Sequence, residues 1–299
     1  MATVTGYPGS FWKMDLEHKA IERIKMASEM SLHHYGKPLV CTYSGGKDSD
    51  VMLELFKRSG VPFEVINSHT TVDAPPTVYH IREQFKRLEE QGIKTTIHMP
   101  ELTMWQLIPK KKMPPCRMQR YCCEYLKENT VKNRFVATGV RWAESNNRKN
   151  RQEIEPRGKK DAEKVMMLSD NDKKRVLTER CVLKSDMIAN PILDWPDRDI
   201  WDYYWNECEL HNPLYSMGYY RVGCVGCPMA SKGRWKEFAD FPTYQRAYIR
   251  AFGLMLEAIH ASGSQTKWKT GYDVFLWWME DDNVEGQMDL FADGFVQQY

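Results

Sequence analysis

The most constraining stretch of the chain is Ser44-Gly45-Gly46-Lys47-Asp48-Ser49. An apolar run, Pro38 to Tyr43, precedes it. Asp50-Val51-Met52-Leu53-Glu54-Leu55-Phe56 follows, apolar at helical spacing. The pattern reads as strand, glycine turn, helix. Adjacent glycines bring the backbone close to a ligand with no Cβ in the way. A helix start then offers unpaired N–H groups and a positive dipole end to an anion, most often a phosphate. Lys47 adds a mobile cation, and Ser44 and Ser49 add hydroxyls. A plain βα turn would need none of these groups together. The loop is not a Walker A loop, because no G-x-x-x-x-G-K-[ST] can be read here.

The neighbouring segments keep the same rhythm. An amphipathic helix is expected from about Met14 to Tyr35, and a second strand over Phe63 to Asn67. A helix opening on Pro75 and Pro76 runs to about Gln91, where proline at the start is tolerated. Strands follow over Lys94 to Met99 and Arg134 to Val140. Connections of helical length imply an α/β fold, a parallel sheet with helices on both faces. Ligands of such sheets sit at the carboxyl ends of the strands. The glycine turn, His69-Thr70 and Gly139 to Arg141 all fall there. The charge-rich stretch from Lys149 to about Lys184 reads as a solvated excursion. Two domains are expected: residues 1–233, binding nucleotide and carrying the cysteines, and a helical extension over 234–299 with a flexible tail. In that extension Trp268, Phe275, Trp277 and Trp278 read as core against the sheet rather than as a binding face.

Composition excludes more than it proposes. Hydrophobic residues make up 42% of the 299 and charged residues 27%, the globular range. A net charge of +2 gives no global argument for nucleic acid. No apolar run is long enough to span a bilayer, and Met1 to Thr5 lacks the pattern of a signal peptide, so a cytoplasmic protein with no membrane partner is expected.

The eight cysteines are then not expected to build a disulfide framework, and their spacing becomes the question. Cys122 and Cys123 are adjacent, and Cys224-Val225-Gly226-Cys227 is a C-x-x-C. Three chemistries fit. A redox dithiol at Cys224 and Cys227 leaves the adjacent pair unexplained. Zinc more often takes two C-x-x-C knuckles. A [4Fe-4S] cluster would use all four. Cys116 and Cys208 stand as accessory or resolving thiols, and Cys41 and Cys181 as ordinary ones.

Taken in order, these pieces resemble the phosphoadenosine phosphosulfate (PAPS) reductase family within the PP-loop ATP pyrophosphatases, from about Pro38 to Ala230. Ser44 to Ser49 resembles the PP-loop, and the resemblance implies an adenine nucleotide alpha hydrolase-like fold. Gly139-Val140-Arg141 with Glu144, Ser145 and Arg148 is similar to the family's G-x-R-x-x-[QE]-S-x-x-R segment, whose arginines face phosphate or sulfate. Asn190-Pro191-Ile192, Trp195, Asp199-Ile200-Trp201 and Tyr204 resemble its N-P-[LI]…W…D-[VI]-W-x-Y stretch. Asn212-Pro213-Leu214-Tyr215, Gly218 and Gly223-Cys224 lead into the second cysteine pair. Cys122-Cys123 with Lys127 is similar to the C-C-x-x-x-K of cluster-bearing adenosine phosphosulfate (APS) reductases, which implies a [4Fe-4S] cluster on Cys122, Cys123, Cys224 and Cys227 with Lys127 nearby.

The chain departs from those reductases in two ways. They carry a catalytic cysteine in a C-terminal E-C-G-[LI]-H motif, and no cysteine follows Cys227 here. They also usually lack the loop lysine, which ATP-cleaving relatives carry as G-G-K-D-S. The nucleotide end therefore resembles ATP users such as sulfate adenylyltransferase subunits. The cysteine end resembles APS reductases, and DndC-like proteins of DNA phosphorothioation combine both.

The expected reading is an enzyme that takes ATP with Mg²⁺, with Lys47, Arg141 and Arg148 neutralising the phosphates, and adenylates or transfers sulfur. The other readings are reduction of APS or PAPS to sulfite, and a clamp-associated adaptor. The last rests on Gln287-Met288-Asp289-Leu290-Phe291, which resembles the Q-x-x-L-F peptide that docks on the DNA sliding clamp.

Overall fold

The computed structural model describes residues 9–128, 131, 133–145, 148–156 and 186–280. Gln287 to Phe291, Cys181 and most of the charge-rich excursion lie outside them. None of the described helices is long and apolar enough to cross a membrane.

The chain divides into two compact units that interleave along the sequence, unlike the expected split after residue 233. One comprises Met1–His69, Pro75–Met99 and Glu128–Val222. The other comprises Thr70–Ala74, Pro100–Lys127 and Gly223–Tyr299.

The first unit is built on a sheet. In chain order it runs α1 (Gly9–Tyr35), β1 (Leu39–Thr42), α2 (Lys47–Ser59), β2 (Phe63–Ser68), α3 (Pro75–Glu90) and β3 (Thr95–His98). It continues with β4 (Phe135–Ala137), β5 (Ile154–Pro156), β6 (Met187–Ala189) and a helix over Asp197–Glu207. The six strands lie in the order β3-β2-β1-β4-β6-β5. All pairs are parallel except β5 with β6, which is antiparallel. The sequence reading anticipated neither β5 nor β6. Three residues each are too short for a period to show, and β5 sits inside the stretch that reads as solvated.

Central strands of such a sheet are apolar along their whole length, and β1 shows it: Leu39, Val40 and Cys41 are fully buried. Val51, Met52, Leu55 and Phe56 of α2 close over the core with Leu39, Cys41 and Val65. Each such side chain contributes about 1.5–3 kcal/mol by leaving water. Strand order reverses direction at β1, with β2 and β3 on one side and β4 and β6 on the other. The crevice past the carboxyl ends of β1 and β4 is thus the switch point where ligands of open α/β sheets bind.

The second unit is helical. It contains helices over Met104–Lys111, Gly233–Asp240, Pro242–Ala261 and Gly271–Met279. Phe275 and Trp278 are core here, but the core is that of the helices and not of the sheet. Phe275 packs edge-to-face on Phe238, and Trp278 contacts Tyr248 and Phe252. Trp268 and Trp277 stay half-buried against each other.

Candidate functional site

The turn between β1 and α2 is shaped by its glycines and held by its neighbours. Gly45 lies at φ +73°, and a Cβ there would stand 2.8 Å from Ile81 Cγ1. Only glycine fits that backbone in that space. The Gly45 carbonyl accepts from Asn212 Nδ2 at 2.7 Å. Ser49 Oγ donates to the Gly46 carbonyl at 2.7 Å and accepts from the Gly46 amide at 3.1 Å. The Lys47 amide donates to the Tyr215 hydroxyl at 2.8 Å. Two of the amides that a helix start offers an anion are thus satisfied by the protein's own hydroxyls.

The Lys47 ammonium sits 2.9 Å from Asp48 Oδ2 and 5.2 Å from the centroid of the Trp201 ring. Asp48 also ties the loop to β4. Gly139, just past β4, leaves room for it, since a Cβ there would come within 3.3 Å of the Asp48 backbone. Arg141 Nε donates to Asp48 Oδ1 at 2.5 Å, one Nη donates to Asp197 at 2.7 Å and the other to the Trp195 carbonyl at 3.1 Å. The Arg141 side chain is 1% exposed, and its charge ends on two carboxylates. In this arrangement Arg141 braces the loop, and Lys47 is the cation at its rim. Arg148 pairs with Glu144, one turn back.

Beneath the loop lies a network that sequence reasoning missed. Asp50, in the first turn of α2, accepts from the Tyr43 hydroxyl and lies 3.0 Å from His80 Nε2. Tyr43 and His80 are themselves 3.0 Å apart, and all three residues are buried. Burial, then the Asp50 charge, pushes the Tyr43 phenol well above its ordinary pKa, so it stays a donor. The Asp after Ser49 was one available signal. His80 was not legible, because α3 brings it in from 30 residues away.

The paired cysteines all lie in the helical unit. Cys122 and Cys123 close one helical turn that continues as a π-helix over Glu124–Glu128, a geometry frequent at functional sites. Cys224 and Cys227 flank Gly226, at φ +74°, whose absent Cβ would meet Phe238 at 2.7 Å and Trp278 and Tyr248 at 3.0 Å. The Gly226 amide donates to Glu237 Oε2 at 2.6 Å. Cys224 Sγ donates to Thr70 Oγ1 at 3.4 Å, and Arg120 donates to Cys123 Sγ at 3.3 Å. The four sulfurs feel one another. A hydrogen bond to Cys123, then burial and the charges of Cys123, Cys224 and Cys227, raise the Cys122 thiol. Its partner Cys123 is lowered by that same hydrogen bond and by Arg120 and Lys127. The charge of Cys224 first, with Asp73, Cys123 and Cys227 behind it, raises the Lys127 ammonium. Among the described residues no three His, Cys, Asp or Glu side chains converge closely enough to hold one metal ion.

Residues 38–230 match the phosphoadenosine phosphosulfate reductase domain, more than half of the chain. The chain belongs to that family. The phosphosulfate reductase domain here also resembles two uncharacterised proteins of Methanocaldococcus jannaschii. One is 26% identical over 217 residues, covering 69% of this chain and 39% of that protein. The other is 25% identical over 260 residues, covering 83% and 54%. The chain thus spans about two fifths to about half the length of these relatives. Among solved structures, the PAPS reductase of Candida auris, in a phosphate complex, aligns with TM-score 0.45 at 15% identity, over 75% of this chain and 98% of that one.

Within the reductase domain the structure brings Ser44 to Ser49, Gly139 and Arg141 together in the sheet unit. His69 follows β2 there, its amide donating to the His98 carbonyl at 3.0 Å. Thr70 belongs to the other unit. Its amide donates to Asp73 at 2.8 Å and its hydroxyl accepts from Cys224, so its contacts are with the thiols and not with the phosphate loop.

Proposed function

We propose that this protein binds an adenine nucleotide by its phosphates at the switch point and cleaves it there between the α and β phosphates. The observation that carries the reading is Lys47. Its side chain is only 10% exposed, and its ammonium rests between the Asp48 carboxylate of a braced glycine loop and the Trp201 ring. A phosphate bound there would take over from Asp48 as its counter-ion, as a charge-assisted acceptor can. ATP would enter as its Mg²⁺ complex. An acceptor oxygen or sulfur attacks the α-phosphorus, the bond to the bridging oxygen breaks, and pyrophosphate leaves with the electron pair. The acceptor's proton passes to water. Lys47 meets the charge that grows on the leaving group, while Arg141 and the Tyr43–Asp50–His80 network keep the loop from moving as it does.

The donor set of the helical unit fits a [4Fe-4S] cluster on Cys122, Cys123, Cys224 and Cys227. Such a cluster carries each thiolate on a separate iron, so its ligands stand apart where those of a single ion must converge. Arg120 and Lys127 supply positive charge to balance the thiolates. When bound, the cluster would supply sulfur-transfer or electron-transfer chemistry.

Family membership favours a second reading, reduction of a sulfonucleotide to sulfite, with the same loop holding APS or PAPS. Two assays on anaerobically purified protein separate the readings. Pyrophosphate release from ATP over a panel of acceptors supports the first. Sulfite production from APS or PAPS with a dithiol reductant, without pyrophosphate, would replace it with the second. Iron, sulfide and zinc counts test the cluster directly, and a colourless zinc protein would remove it.

A further inference from the structure

Net charge conceals a local concentration in this chain. Over 299 residues it is only +2, yet between Lys110 and Lys127 six residues are basic and Glu124 alone is acidic. All of this stretch lies in the helical unit. Lys110 and Lys111 end the Met104–Lys111 helix, and Lys112 caps it in the left-handed conformation at φ 53°. The negative end of the helix dipole holds this cation cluster together. Among the described residues no carboxylate pairs with any of the three. The Lys111 ammonium instead lies 4.9 Å from the centroid of the Tyr125 ring. Arg117 donates to the Pro228 carbonyl at 3.1 Å and to the Ser231 hydroxyl. Tyr125 is 43% exposed, so one edge of this basic stretch carries an open aromatic ring.

Cations spaced along a surface with an exposed ring among them match one polyanion better than others. Phosphates of a nucleic-acid strand pair with the cations, and an unstacked base lies on the ring. A duplex keeps its bases stacked and has no use for the ring. We propose that the stretch Lys110 to Lys127 binds single-stranded nucleic acid, with phosphates on Lys110, Lys112 and Arg117 and a base on Tyr125. This surface does not depend on which nucleotide the phosphate loop takes.

The test is fluorescence anisotropy of the full chain with labelled twelve-nucleotide single strands of DNA and of RNA, and with the matching duplex. Salt is varied from low to physiological. Binding to a single strand is expected, tighter than to the duplex, with a log–log salt slope of about −2 to −3 for three to four phosphate contacts. The relative affinity of the two strands tells which is the natural partner. Lys110→Glu/Lys111→Glu/Lys112→Glu should weaken binding at least tenfold and flatten the slope. A control with the same charge change on the sheet unit, Lys19→Glu/Lys25→Glu/Lys94→Glu, should leave both close to wild type. Tyr125→Ala should cost roughly fivefold or more with the slope unchanged, as loss of one stacked base predicts. All are surface positions, and matching thermal melts verify folding. No binding at low salt, equal losses from the two triple variants, or preference for the duplex would each overturn the proposal.

Discussion

Cations near the phosphate loop end on carboxylates. Lys47 meets Asp48, Arg141 meets Asp48 and Asp197, and Arg148 meets Glu144. In the helical unit Arg120 ends on the sulfur of Cys123, and Arg117 on a carbonyl and a hydroxyl. Around its loop the sheet unit thus pairs its cations with carboxylates, Lys47 among them. In the helical unit the hydrogen bond from Cys122 lowers the Cys123 thiol, and Arg120 and Lys127 lie close enough to lower it further. An anion bound at the loop would meet a brace, Arg141, whose charge is already paired. Cations beside a thiol favour its thiolate.

Substitutions can break this contrast one side at a time. The largest effect should come from Lys47→Met. Pyrophosphate release should fall about 10²–10³-fold, as for loss of one charge-stabilising donor. The thiol content of the helical unit, and any iron bound there, should stay at wild-type levels. Turnover that survives would mean that the loop's chemistry lies elsewhere.

Next come two crowded glycines in the left-handed region, one in each unit. Gly45→Ala and Gly226→Ala should each destabilise by about 2–5 kcal/mol, from the left-handed backbone and the overfilled space together. Gly218→Ala, at φ +83° with nothing near its absent Cβ, isolates the backbone share of about 1–2 kcal/mol. Denaturant unfolding measures all three. Equal losses at Gly218 and Gly226 would show that packing at the C-x-x-C turn does not matter.

The carboxylate side of the contrast is acid-sensitive. Burial alone would raise Asp194, but the hydrogen bonds and charge of Arg23 outweigh it and hold the carboxyl below its ordinary pKa. A lowered folded pKa contributes stability that is present above about pH 4 and is lost as pH falls through the folded value. Arg23→Gln should therefore cost about 1–2 kcal/mol at pH 7 and almost nothing near pH 2, discounting for partial exposure. Melts across that range would refute it if the difference held constant.

On the thiol side, Cys123 is lowered to about 5, through the Cys122 hydrogen bond and then Arg120. In metal-free protein iodoacetamide should modify Cys123 several-fold faster than Cys122 at pH 6, read by peptide mass spectrometry. The smallest effect is at Tyr215. Tyr215→Phe removes the hydroxyl that takes the Lys47 amide. Nucleotide affinity should rise about two- to threefold, because the phosphate no longer competes for that donor. Weaker binding by calorimetry would mean that the hydroxyl contacts the ligand.

Much of the sheet unit was legible because its signals are local. A strand, a glycine turn and a helix start need only neighbours in sequence, and β1, β2, α3 and β3 fall within a residue or two of their expected places, while α2 begins three residues early, at Lys47. The short strands β5 and β6 escaped, since three residues carry no period. The loop residues were readable by type. The roles of Arg141, Asp50 and His80 were not, because each depends on a partner tens of residues away.

The sequence alone determined that a phosphate-type loop follows β1, that four of the cysteines come in two close pairs, and that the chain belongs with PP-loop proteins. These are properties of adjacent residues and their chemistry. Only the tertiary structure decided that Arg141 spends its charge on Asp48 and Asp197, leaving Lys47 as the cation at the rim. It also decided that Thr70 serves Cys224 and that the thiols fold with the C-terminal helices rather than with the loop. The physical reason is the same in each case. Burial makes an ion pair or a close-packed turn consequential, and which groups are buried together is set by chain crossings that no local pattern encodes.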